Sequence, residues 1–225
     1  MRLDRRTFIA TGAVAAAGLG GYAYFNGTPD NVTRMPGISV ANAAAADLSD
    51  LNTAPAMGEK SLGNPEAPVT IIEYAAATCG HCANFHTGTF KELKTEFIDT
   101  GKIHFILREF PFGDAGLAAF MIARCAPDDK YFPIIDVLFE QQAKWHSQDI
   151  FKELQGIAKL AGFTEKTFDA CLKNEEIAKG ILAIREKASK SYGVDSTPTF
   201  FINGKKYEGG RDIEGFRKKI EEAAG

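Results

Sequence analysis

The sequence predicts an α/β protein: one parallel βαβ unit, then an antiparallel ββα unit, with a block of helices inserted between them. Three observations carry this. Two short apolar, β-branched runs, 69–74 and 102–110, flank a stretch of helical spacing. Residues 114–192 hold amphipathic segments and no convincing strand. An Asn203-Gly204 pair, the signal of a tight hairpin, joins two further runs ahead of a terminal amphipathic segment.

The chain opens with Arg2, Arg5 and Arg6, followed by a mild Ala/Gly-rich apolar run from 8 to 25. Residues 1–43 therefore read as an export signal or an anchor rather than part of the fold. Asp4-Arg5-Arg6-Thr7-Phe8-Ile9 resembles a twin-arginine signal. A general secretory signal or an uncleaved anchor is the alternative, and Ala41-Asn42-Ala43 is a candidate cleavage site. The apolar run is at the lower limit for a span and rich in Gly, so the mature domain is not expected to cross a membrane. The expected destination is the bacterial periplasm, where disulfides form and persist.

Residues 44–60 read as linker, with a short helix expected at 41–51. Turn chemistry fills 63–68 (GNPEAP). The first strand is 69–74, and a helix runs from Cys79 to about Asp99, stopped by Thr100-Gly101. The second strand is 102–110, closed by Pro111. Helical spacing then recurs over 115–126, 133–145, 150–162, 167–173 and 176–193. Two strands at 197–204 and 205–210 and a helix at 213–223 complete the domain, 61–223.

Composition narrows the function. Apolar residues make up 45% of the chain, with 17 Phe, enough for a core that does not depend on disulfides. The net charge is −3; residues 1–43 hold four Arg and two Asp, so the remainder has 22 basic against 27 acidic side chains. No basic stripe is interleaved with aromatics, which argues against nucleic acid as a partner. Four cysteines are too few for a disulfide scaffold.

Thr78-Cys79-Gly80-His81-Cys82 opens a helix directly after a buried strand, and that placement is a redox arrangement. Unpaired N–H groups and the positive end of the helix dipole stabilise a Cys79 thiolate, the nucleophilic form. His81 adds a donor or a positive charge nearby. Cys82, one turn on, is placed to resolve a mixed disulfide. Haem attachment would need His at 83, where Ala stands. A zinc site built on Cys79, Cys82 and His86 lacks a second ligand pair. His86 itself reads as a surface residue. Phe85, Phe110 and Phe112 offer an apolar rim for unfolded substrates, although aromatics at such positions are more often core. Cys125 and Cys171, both in the helical block, favour a structural disulfide in an oxidising compartment over two buried inert thiols.

These features together resemble the thioredoxin-fold thiol:disulfide oxidoreductases, and within them the DsbA family. Cys79-Gly80-His81-Cys82 keeps the His that DsbA proteins place between their cysteines. Glu73 lies six residues before Cys79, where the superfamily keeps a buried carboxylate, and Ser196-Thr197-Pro198-Thr199 matches the loop with its cis-proline. The resemblance implies that Cys79 is the nucleophile, Cys82 the resolving thiol, Glu73 a proton relay to Cys82, and Thr197-Pro198 a backbone site for a bound peptide. It also implies unfolded exported proteins as substrates, a membrane redox partner of the DsbB type, and neither cofactor nor resident metal. Thr197, where enteric DsbA oxidases carry Val, and Gly80 in the motif leave a disulfide isomerase or reductase as an alternative. A third reading, from another class, is a thiol-based copper-handling protein.

Overall fold

The computed structural model describes residues 46–225. The expected export segment, 1–43, lies outside the described residues, as do positions 41–45 of the expected short helix. Residues 46–51 form turns rather than helix.

A five-stranded sheet is the frame. β2 (Val69–Ala75) is its centre, parallel to β3 (Ile103–Glu109) and antiparallel to β4 (Thr199–Ile202). β5 (Lys205–Tyr207) extends one edge. β1 (Ser61–Gly63) pairs antiparallel with β3 at the other, giving the order β1-β3-β2-β4-β5. β1 was not anticipated, since three residues with a terminal Gly carry no alternation; only its pairing with β3 makes it a strand. The hairpin between β4 and β5 turns on Asn203 (φ 45°) and Gly204 (φ 77°), both in the left-handed region that a type I′ turn requires.

Strand alternation sorts the side chains onto two cores. Ile71, Ala75, Phe105, Leu107, Phe200 and Ile202 face the larger one. Ile72, Tyr74, Ile106, Phe110 and Phe201 face the smaller. The larger core is covered by α1 (Gly80–Thr87), α2 (Thr89–Leu93) and α9 (Ile213–Ala224), and it continues into the helical block. That block comprises α3 (Gly113–Cys125), α4 (Tyr131–Glu140), α5 (Gln142–Trp145), α6 (Ile150–Leu160), α7 (Glu165–Leu172) and α8 (Glu175–Ser191). α8 returns to the sheet and covers the smaller core with Ile184 and Ala188. Side-chain caps from Thr164, Asn174 and Asp212 start α7, α8 and α9.

Two expectations need correction. The single helix expected from Cys79 to about Asp99 is broken. α1 ends at Gly88 (φ −116°, ψ −98°), α2 follows, and a π-helical turn spans Lys94–Ile98. Glycine and a π-turn are ordinary causes of such a bend, and the bend keeps Phe85, Phe90 and Phe97 on the core. The expected linker, in turn, is packed down from residue 46. Leu51 is fully buried, and the buried guanidinium of Arg108 donates to the carbonyls of Leu51 (2.8 Å) and Thr53 (3.3 Å), to Tyr74 Oη and to both Glu59 oxygens. A charge taken out of water needs such full satisfaction, and the partners that supply it tie this strap over the smaller core.

Cys125 and Cys171 form a disulfide between α3 and α7, with Cα atoms 6.0 Å apart. No helix among the described residues is long and apolar enough to cross a membrane.

Candidate active site

Cys79 sits at the N-cap of α1 (φ −86°, ψ 117°), held by its N–H bond to Ala76 O (3.0 Å). Its side chain is part-exposed, whereas Cys82 is completely buried. One turn of helix thus gives the two thiols opposite surroundings. The Cys79 thiol is drawn down from an ordinary 9.0 to about 5. The hydrogen bond from Cys82 is the largest cause; partial burial opposes it, while the Thr197 side chain and the backbone N–H groups of Cys82 and His81 add to the lowering. Burial pushes the Cys82 thiol far up, and the nearby Glu73 charge pushes it further. At neutral pH the pair is a Cys79 thiolate beside a Cys82 thiol.

The loop before β4 closes the site. The Thr197–Pro198 peptide bond is cis. As a thiol, Cys79 Sγ donates to Thr197 O at 3.3 Å. Thr197 Oγ1 is buried with no hydrogen-bond partner, so when the thiol ionises and that bond is lost, a hydroxyl donor stands at hand.

The structure thus brings Cys79, Cys82, Thr197 and Pro198 together. Glu73 joins them from beneath, since strand alternation turns it to the α1 face with Ile71 and Ala75. The His81 side chain is exposed and makes no hydrogen bond among the described residues; only its backbone N–H acts on the thiolate. Phe85 and Phe110 are core, and only Phe112 is exposed. His86 is not at the surface. Its Nε2 lies 2.8 Å from Glu73 Oε2, with both side chains at most 1% exposed. Stacked on Phe139 and engaged with Glu73, His86 is not available to the thiols as a ligand. Among the described residues no group of three His, Cys, Asp or Glu is arranged to hold a metal ion.

Two site residues escaped sequence reasoning. His86 follows Cys79 by seven positions and Cys82 by four, a helical spacing that places it on their face, and this was a usable signal. Gln142 had none. It reaches from α5 to donate its Nε2–H bonds to Ala77 O (2.7 Å) and Cys79 O (3.0 Å), fixing the loop that carries Cys79.

Fold and site define a thioredoxin-fold protein with a polarised Cys-x-x-Cys pair and a cis-proline loop beside it. The thioredoxin family model matches residues 56–222. The chain belongs to that family, in its DsbA-like branch. A Rickettsia bellii protein named "Putative protein-disulfide oxidoreductase" is 36% identical over 145 residues, 64% of this chain and 56% of that one. A Rickettsia prowazekii protein with a similar name is 33% identical over 164 residues, 72% of this chain and 60% of that one. This chain therefore spans less than two thirds of the length of these curated relatives. Among solved structures, Wolbachia pipientis alpha-DsbA1 superposes with a TM-score of 0.72 at 31% identity, covering 78% of this chain and 96% of that one. A protein-disulfide isomerase from Novosphingobium aromaticivorans does so at 0.65 and 26%, covering 76% and 98%.

Proposed function

We propose that this protein is a periplasmic thiol:disulfide oxidoreductase that donates its Cys79–Cys82 disulfide to exported proteins. A substrate thiolate attacks Cys79 Sγ; the Cys79–Cys82 bond breaks, and Cys82 leaves as a thiolate that takes a proton through Glu73. A second substrate thiolate then attacks the substrate sulfur of the mixed disulfide, releasing Cys79. A thiolate that ionises near pH 5 is a good leaving group in this last step. The backbone at Thr197-Pro198 offers an edge for the substrate segment, and a membrane oxidase of the DsbB type returns the protein to its disulfide form.

The carrying observation is the polarised pair: stabilising the reduced form as Cys79 thiolate makes the disulfide oxidising. The equilibrium potential against glutathione tests it. A value near −120 mV, as for DsbA, supports donation, and one near −270 mV, as for thioredoxin, overturns it. Thr197 ahead of Pro198 and the isomerase among the structural neighbours favour, as a second reading, an isomerase or reductase kept reduced in the cell. A potential near the thioredoxin value would move the assignment there.

A further inference from the structure

Cys82 is the residue whose proton must move in every round of exchange, and its side chain is completely buried. Glu73 faces it from β2 and His86 faces Glu73 from α1. Glu73 Oε2 and His86 Nε2 bond each other, while Glu73 Oε1 and His86 Nδ1 are both buried without a partner. Two ionisable groups sealed together with one shared bond and a spare position on each side can hold one more proton or one fewer. The walls around them are Phe85, Phe90 and Phe139, the last stacked on the imidazole with centroids 4.2 Å apart. Two further polar groups face the pair from α4. They are Asp136, exposed, whose field reaches His86, and the Tyr131 hydroxyl, which feels Glu73 but spends its proton on Glu109 Oε1 at 2.7 Å.

We propose that His86 is a positioning and proton-holding residue for Cys82, acting through Glu73. The inference rests on the disulfide-exchange reading above and adds a residue to it. When the Cys79–Cys82 bond breaks, both its electrons go to Cys82 Sγ. The Glu73–His86 pair carries one extra proton beforehand, and that proton passes from the Glu73 carboxyl to Cys82 Sγ. On reoxidation Cys82 returns its proton to the pair as it attacks. A carboxylate alone would have to hold or lose this proton unaided in an apolar pocket; once the proton has passed to Cys82, the negative charge rests on Glu73, where the hydrogen bond to His86 stabilises it.

The test is pre-steady-state exchange of the full-length protein with a small monothiol and its disulfide between pH 4 and 9. Wild type is compared with His86→Gln, Glu73→Gln and the double variant, and Cys79 ionisation is followed separately at 240 nm. Gln at 86 keeps a donor for Oε2 but cannot carry the proton. His86→Gln is expected to slow both opening and closing of the disulfide by about tenfold at pH 7. It should flatten their pH profile and leave the Cys79 midpoint in place. Glu73→Gln should do the same, and the double variant should be no slower than the slower single one. Wild-type rates in His86→Gln, or multiplied losses in the double variant, overturn the proposal while leaving the exchange reading intact. If the wild-type protein does not exchange with thiols at all, the exchange reading fails and this inference falls with it.

Discussion

The sharpest consequence of the polarised pair is a pH-dependent stability confined to the reduced protein. Folded, Cys79 ionises near 5; unfolded, it returns to the ordinary 9.0. Between these values the unfolded state binds more protons, so the reduced protein gains stability as pH rises from 5 to 9 and loses it as pH falls through 5. Unscreened, a shift of this size would contribute about 5 kcal/mol, but Cys79 is part-exposed and solvent screening reduces the expected gain to about 2–3 kcal/mol. In the oxidised protein neither thiol titrates, so the gain is absent. Urea unfolding of both redox forms from pH 4.5 to 8.5, with thiolate absorbance at 240 nm alongside, measures it. Cys79→Ser serves as the control: its unfolding should lose the slope, while Cys82→Ala should keep a shifted Cys79 titration with a midpoint moved upward, because the largest donor to the thiolate is removed. A wild-type midpoint above pH 7, or equal stability of the reduced form at pH 5 and 8, would refute the reasoning.

Three other perturbations follow from the packing. Removing the Cys125–Cys171 bridge as Cys125→Ala/Cys171→Ala frees a separation of 46 residues. In the chain-entropy model this lowers stability by about 4 kcal/mol, and an unchanged denaturation midpoint would contradict it. Gln142→Ala deletes the two bonds that hold the Ala77–Cys79 loop. Stability should fall by about 1–3 kcal/mol, and the Cys79 midpoint should rise at 240 nm, since the backbone donors lose their aim; an unmoved midpoint would show that the loop holds itself. Arg108→Leu strands Glu59 and releases the strap, costing about 3 kcal/mol and accelerating proteolysis within residues 46–60; unaltered cleavage there would argue against the strap's anchoring.

The elements whose information is local can be read from the amino-acid order alone. The strand at β2 follows from a β-branched apolar run, the hairpin from Asn203-Gly204, the helical block from repeated 3.6-residue spacing, and the redox pair from two cysteines at the start of a helix. It also put Glu73 and Thr197-Pro198 forward, through their resemblance to a known pattern. Tertiary structure decided what depends on partners far along the chain. β1 exists because β3 offers an edge, and the strap is packed because Arg108, about fifty residues away, needs acceptors. Gln142 belongs to the site because α5 lies against the Cys79 loop. His86 shows the boundary most clearly. Its spacing aimed it at the cysteines, yet a polar residue late in a short helix is ordinarily solvated. Only the burial of α1 between β2 and α4, with a carboxylate on one side and Phe139 on the other, turns it from a surface histidine into a buried partner of Glu73.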